Sequence, residues 1–231
     1  IFLKQVEQFK TTHQHMFKLF RLHCNDLLVL QEMEYNGIMY DIEASITKAK
    51  ELQEQVINTE IEIRKFTDGI PINFDSRDHM SCLLYGGTIS IETRFPIGVY
   101  KTGAKTGLPR YKLLTTDYTL ERRVEPPKGS ELKKEGYFST DEATLLSIKT
   151  NKTNKYLIER ILERAKLMKL KSTYLEGLPN TLQEMEWENS LLHSNLNQCV
   201  ATTGRLSSTK PNQQNLPKEA KIFCVSRYAN C

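Results

Sequence analysis

Long apolar runs are missing from this sequence. No window approaches the ~18 consecutive apolar residues that a membrane-spanning helix needs, and the opening stretch IFLKQVEQFK lacks the basic start and apolar centre of a secretory signal. A soluble, intracellular chain is therefore expected. Glycine (11) and proline (8) are too sparse in 231 residues for collagen or a low-complexity linker, and no internal repeat is visible. The five cysteines, Cys24, Cys82, Cys199, Cys224 and Cys231, contain no CxxC pair, and their odd number argues against a closed disulfide framework. They are expected as reduced, mostly buried thiols. His23 beside Cys24 and His79 near Cys82 would make a metal site only if distant segments converged. What the chain does have is 39% hydrophobic and 26% charged residues, enough apolar matter for one or two cored domains.

The formal net charge is a modest +4, but the charge is unevenly spread. From Asp26 to Ile70 there are ten acids against four bases, whereas Lys149 to Lys171 holds eight bases against Glu159 and Glu163. From Ala201 to the end, five bases face only Glu219. A positive field is thus concentrated in the C-terminal third, where a polyanion would be attracted.

Apolar spacings of three and four from Met16 to Tyr35 predict a long helix or a broken pair, closed by Asn36 and Gly37. Asp41 is placed to cap a second helix to about Lys65, with Ile46, Ala49, Leu52, Val56 and Ile61 as its stripe. Ser76 can cap a short helix that Gly86 and Gly87 close. Between residues 87 and 136 the text alternates β-branched and polar residues, broken by Gly and Pro, which predicts a β-hairpin insert. Ser139 and Glu142 have capping-box spacing. A longer helix is expected from about Lys155 to Glu176, with Leu157, Ile158, Ile161, Leu162, Ala165 and Leu170 inside. From Trp187 onward short strands and loops are expected. The fold class is mainly α with a β insert (α+β).

The most unusual stretch is NQCVATTGRLSSTKPNQQNLP, in which some twenty residues hold almost nothing that builds a core. Its arginine, amides and hydroxyls are the groups that hydrogen-bond phosphate oxygens, sugars and base edges, so it reads either as a nucleic-acid surface or as a solvated loop. In order and spacing, TGRLSSTKPNQQNLP from Thr203 to Pro217 resembles the TGRLSS..PN.QN.P signature of the family A (polymerase I-like) DNA polymerases. KLKSTYLEGLP, Lys169 to Pro179, is similar to that family's thumb segment, and LLVLQEMEYNGIMYD, Leu27 to Asp41, to the helix and turn that open its polymerase portion. NFDS at Asn73 to Ser76 fits the segment that follows. The Gly-rich, basic insert around GVYKTGAKTGLPRYK is closer to phage-type members, and it is either a DNA-touching hairpin or a solvated decoration.

The resemblance implies a division into residues 1–25, the tail of a preceding exonuclease-type domain; residues 26–185, a helical thumb region carrying the insert at about 87–136; and residues 186–231, the start of the palm. It implies that Arg205 reaches the minor groove at the primer terminus. Asn212, Gln214 and Asn215 would hydrogen-bond the template or primer nearby, with Asn197 and Gln198 shaping the strand leading in. Lys169, Lys171, Ser172 and Thr173 would hold duplex phosphates from the thumb, giving position and salt-dependent affinity rather than sequence specificity. Relatives often carry an arginine four residues before KLKSTY; this chain has Ala165, with Arg164 or Lys166 as the available substitutes.

The implied function is a segment of a DNA-directed DNA polymerase, with primer-template DNA as partner, dNTPs as substrates of the intact enzyme, no membrane, a monomeric state and a cytoplasmic location in a bacterial or phage-infected cell. Mg²⁺ is expected for the intact enzyme. The family's metal-binding aspartates lie beyond a stretch like KIFCVSRYANC, so the sequence read here contains no catalytic or metal-binding residue of that chemistry, and the 231-residue piece alone is expected to be inactive. The alternative is a non-catalytic remnant that binds duplex DNA. Asp41, Glu43, Tyr137 and Asp141 mimic the spacing of proofreading exonuclease motifs, but Asp41 sits at an expected helix start, Asp141 lies beside a helix cap, and no convincing middle aspartate appears between them, so helix caps and solvated turns are the preferred reading. His193 and Ser194 lack an acid partner for nucleophilic catalysis, and Gly103, Lys105 and Gly107 are too loosely spaced for a P-loop.

Overall fold

A computed structural model describes residues 2–228. The chain opens with helices α1 (Phe2–Thr12) and α2 (Phe17–Asn36), then a short strand β1 (Ile38–Tyr40) and helix α3 (Ile42–Arg64). Helix α4 (Arg77–Tyr85) leads into a long hairpin of β2 (Gly87–Val99) and β3 (Pro109–Leu120). Helices α5 (Glu142–Ser147) and α6 (Lys152–Lys169) follow. A π-helical segment, Leu170–Glu176, then joins α6 to α7 (Gly177–Glu184). The C-terminal part holds β4 (Leu191–Leu192), β5 (Asn195–Asn197), β6 (Ser207–Thr209), α8 (Lys218–Lys221) and β7 (Cys224–Val225). The α+β class read from the sequence is borne out.

Local chemistry explains the boundaries. Asp41 Oδ1 accepts from the Ala44 amide at 2.9 Å and starts α3, and Ser76 Oγ accepts from His79 N at 3.3 Å to start α4. Gly86 ends α4 at φ +78°, and a Cβ there would stand 2.9 Å from the Arg122 backbone nitrogen. The cap of α5 is Asp141 and not Ser139: the Asp141 carboxylate accepts from Thr144 N at 2.8 Å, while Ser139 Oγ accepts from the Asp141 amide at 3.2 Å. The serine therefore prepares the turn, and the helix starts one cap later. Asn151 Oδ1, which accepts from Asn154 N at 2.8 Å, opens α6 three residues earlier than expected. The expected helix to Glu176 also changes character at Lys169, where the α turn widens into the π segment.

The chain forms two compact units, one from residues 1–55 and 166–231, the other from residues 56–165. In the first, β1 pairs antiparallel with both β4 (Ile38↔Leu192) and β7 (Tyr40↔Cys224). Its core gathers Tyr40, Leu52, Leu175, Leu178, Leu192 and Phe223. Ser45 Oγ donates to the Leu175 carbonyl at 2.9 Å, so the Tyr40 hydroxyl donates in turn to Ser45 Oγ at 2.8 Å. Burial pushes up the pKa of Tyr40 and of Cys224.

The second unit is cored by Ile63, Phe74, Leu83, Tyr85, Ile89, Leu145 and Leu157. The β2–β3 hairpin enters that core only at its base, where Ile89 is buried opposite Tyr118. The buried positions of α3 run Ser45, Ala49, Leu52, Val56, Thr59, Ile63, an uninterrupted three–four spacing. Ile46 and Ile61, expected on that stripe, are exposed because they flank it. On α6, Arg164 is buried while Ala165 is exposed, the reverse of the expected order. Most apolar residues of α2 also stay exposed, with Leu30 its buried one. Of the thiols, Cys82 is buried but Cys24 and Cys199 are exposed, which corrects the expectation of mostly buried cysteines; Cys231 lies outside the described residues.

Candidate nucleic-acid interface

The polar stretch after β4 is an organised surface. Strands β5 and β6 pair antiparallel, Leu196 opposite Ser208 and Asn197 opposite Ser207, and the turn between them presents Arg205 to solvent. Among the described residues, no carboxylate forms an ion pair with Arg205. Asn197 is half-buried, its Nδ2 donating to Thr209 Oγ1 at 3.3 Å across the pair, and Gln198 beside it is half-buried too.

Beyond β6 the backbone is held by polar side chains, of which Ser208 is buried, Gln213 half-buried and Asn212 exposed. Ser208, 2% exposed, donates from Oγ to the Pro211 carbonyl at 3.3 Å and accepts from Gln213 N at 3.2 Å. Gln213 Nε2 donates to the Leu192 carbonyl at 3.1 Å and so ties the turn to β4. Asn212 Oδ1 accepts from the Asn215 amide at 3.3 Å, capping a single 3-10 turn. Gln214 and Asn215 face solvent. Leu216 and Ala220 anchor the following segment in the core. Fixed backbone with outward amides and one unpaired guanidinium is what contact with a polar, negatively charged polymer requires.

The second group of predicted residues lies in the same unit, at the junction of α6 and the π segment. Lys169 is exposed and forms no ion pair among the described residues. Lys171 is different: its side chain is 15% exposed and its Nζ lies 2.8 Å from Glu176 Oε1. Ser172 Oγ donates back to the Met168 carbonyl at 2.7 Å, and Thr173 is exposed. Tyr174 connects the two groups, because its hydroxyl donates to the Asn215 carbonyl at 3.3 Å. The family resemblance assigns no individual role to Tyr174, Gln213 or Ser208, although all three lie inside the quoted motifs.

Glu34 lies inside the Leu27–Asp41 motif, but the resemblance gives it no role of its own. Its carboxylate accepts from the Leu196 amide, and its carbonyl accepts from His193 Nδ1–H at 2.7 Å. His193 also meets the Trp187 ring edge-on, with centroids 5.3 Å apart. These contacts give His193 a structural role. Arg164, a proposed substitute for the thumb arginine, is spent inside the second unit, on Glu60 at 2.7 Å and Asp75 at 2.9 Å. Asp41 and Asp141 cap α3 and α5 as described, and the Asp141 carboxyl is held below its ordinary pKa by the hydrogen bonds from Thr144. Among the described residues no three His, Cys, Asp or Glu side chains converge to hold a metal ion, and no helix is long and apolar enough to cross a membrane.

The chain is 28% identical over 189 residues to the thermostable DNA polymerase I of Thermus aquaticus, which covers 82% of this chain and 18% of the relative. It is 36% identical over 150 residues to DNA polymerase I of Synechocystis, covering 64% of this chain and 14% of that one. The chain thus spans less than a fifth of the length of these relatives. Among solved structures it resembles the POL domain of Pol1 from M. smegmatis in complex with DNA primer-template and dNTP. That likeness has a TM-score of 0.55 and 25% identity, over 81% of this chain and 25% of that one. The model of DNA polymerase family A matches residues 111–228, just over half of the chain, and takes in both the π-segment motif and the β5–β6 surface: the chain belongs to DNA polymerase family A.

Proposed function

We propose that this chain is the part of a DNA-directed DNA polymerase that grips the primer-template duplex behind the site of nucleotide addition. The observation that carries the reading is the Tyr174–Asn215 hydrogen bond, which holds the Lys169–Tyr174 segment and the Arg205–Asn215 surface in one unit. Residues 26–185 then act as a thumb region with its insert, and residues 186–231 as the beginning of a palm, after a short tail, 1–25, of an exonuclease-type domain. Arg205 serves the minor groove at the primer end, where a multi-donor cation donates to the acceptors that every base pair presents. Gln214 and the amides of Asn212 and Asn215 contact the strand beside it, and Asn197 and Gln198 shape the approach. Lys169 and Thr173 meet phosphates directly. Lys171 and Ser172 contribute after leaving their present partners, Glu176 and the Met168 carbonyl.

The intact polymerase, acting as a monomer in the cytoplasm, uses dNTPs and Mg²⁺. The basic hairpin insert supports a phage-type member of the family. The test separates grip from chemistry. Fluorescence anisotropy of the 231-residue chain on a primer-template duplex, as a function of salt, should show sequence-independent binding. Lys169→Ala should lower the slope of log affinity against log salt by about one. Lys171→Ala should lower it less, since Glu176 already neutralises that ammonium. In the polymerase that contains this segment, Arg205→Ala should cut kcat/KM for primer extension far more than duplex affinity. No binding at low salt, or equal effects of all three substitutions, would refute the reading.

A further inference from the structure

The β2–β3 hairpin is much longer than its packing requires. Its base is fixed: Ile89 is 2% exposed, and Ile91 and Tyr118 pack against the core of the second unit. Beyond the Ile91↔Thr116 pair no hairpin residue is buried, yet the strands stay paired out to Val99↔Pro109, with one irregularity between Pro96 and Gly98. Among the described residues no third strand pairs with this two-stranded sheet. About half of this element therefore projects with no internal function in holding the fold, and β2 with the connecting turn lies outside the residues matched by the family model.

The composition of that projecting half is one-sided. From Thr93 to Thr116 there are five cations, Arg94, Lys101, Lys105, Arg110 and Lys112, and no Asp or Glu. None of the five forms an ion pair among the described residues. The pairing register distributes them over both faces. Lys112 stands opposite Phe95, Arg94 opposite Leu113, Arg110 opposite Gly98, and Lys101 and Lys105 occupy the turn. Phe95, Tyr100 and Tyr111 are exposed among them, so the arm mixes unpaired cations with open aromatic faces. Undirected solubility would not need a single sign of charge, and a water-filled surface would not need exposed aromatics. A DNA duplex fits the single sign of charge and the shape of the arm: its phosphates lie on either side of a groove whose width admits a two-stranded β-ribbon.

We propose that the distal half of the β2–β3 hairpin, residues 93–116, is a second nucleic-acid contact, an arm that lies along a groove of duplex DNA with its cations on the flanking phosphates. It extends the duplex-gripping reading above but rests on different residues, in a different unit of the chain. The test is a five-site variant of the full chain, Arg94, Lys101, Lys105, Arg110 and Lys112 all →Gln, assayed by anisotropy on a duplex of about two helical turns, with far-UV circular dichroism and thermal unfolding as controls. Each lost phosphate contact removes about 0.9 from the salt slope. A fall of two or more, with at least tenfold weaker binding at 50 mM salt, is expected. A parallel variant with the three lysines →Arg keeps the charge and should bind like the parent, so a general folding defect of the strands is separated from loss of charge. An unchanged slope in the Gln variant, with Lys169→Ala still lowering it, would overturn the arm and leave the gripping surface standing; the exposed aromatics would then point to a protein partner. The opposite pattern would keep the arm and sink the gripping surface.

Discussion

Arg164 carries its charge inside the second unit, where Glu60, Asp75 and the Phe74 carbonyl accept its N–H groups at 2.7, 2.9 and 3.3 Å. The guanidinium also lies over the Phe74 ring, 5.4 Å from its centroid. Three acceptors in different directions use the fork geometry that arginine has and lysine lacks. Asp75 remains largely exposed and can return to water, but Glu60 is 23% exposed and would keep part of an uncompensated charge. Arg164→Met should therefore cost about 2–3 kcal/mol, at or below the lower end of the range for breaking a buried pair. Arg164→Lys should recover only part of it. The measurement is the urea midpoint of each variant, accompanied by the salt slope of duplex binding. That slope should not move, because this cation is 10% exposed and faces no solvent-borne phosphate. A reduced slope in Arg164→Met would show that the guanidinium does reach DNA, and would return it to the role expected from its place next to Ala165.

The π segment, Leu170–Glu176, shows at the scale of one element why sequence reading stops where it does. Helix caps are written in single residues, so Asp41, Ser76 and Gly86 could be assigned from the chain alone, and the hairpin followed from alternation and turn residues. A change from α to π pitch leaves no such mark: Leu170 to Glu176 has helical composition throughout, and the widening is visible only in what it juxtaposes. It turns Leu175 into the core while keeping Tyr174 within reach of Asn215. Gly177 follows from this. Its φ is an ordinary −65°, yet a Cβ at that position would stand 2.9 Å from the Ser172 carbonyl oxygen, five residues back. Within a regular helix, Gly→Ala would stabilise by up to about 1 kcal/mol. Here Gly177→Ala should instead destabilise, by about 1–3 kcal/mol as for other steric overpacking. The urea midpoint decides the sign, and a stabilised variant would mean that the segment relaxes readily to α pitch.

At the scale of the whole molecule, the class, the hairpin and the polar surface were legible in the sequence, while the division into two cored units was not. The reason is that α3 and α6 each supply residues to both units without any break in spacing, so nothing in the stripe Ser45, Ala49, Leu52, Val56, Thr59, Ile63 marks a boundary. What the units share is a buried tyrosine tied to backbone or hydroxyl: Tyr40 in the first, and Tyr85, whose hydroxyl donates to the Ser139 carbonyl at 3.1 Å, in the second. Burial raises both phenols, Tyr85 to about 12. A raised folded-state value means that the native protein holds the proton more tightly than the unfolded chain. The contribution is then complete below the unfolded value near 10 and is lost as pH climbs from there through the folded value. Tyr85→Phe removes the ionisable group together with one hydrogen bond worth about 1 kcal/mol. At neutral pH the parent should be the more stable chain by that amount. Its advantage should vanish near pH ~11, where ionisation of the unfolded phenol has cost the parent about as much, and should reverse above it. Urea unfolding of both chains between neutral pH and pH ~11.5 tests this, since every lysine titrates identically in the two. A parent that keeps its advantage across the whole range would show that Tyr85 ionises as freely in the folded protein as in the unfolded one, and that the core around it admits water.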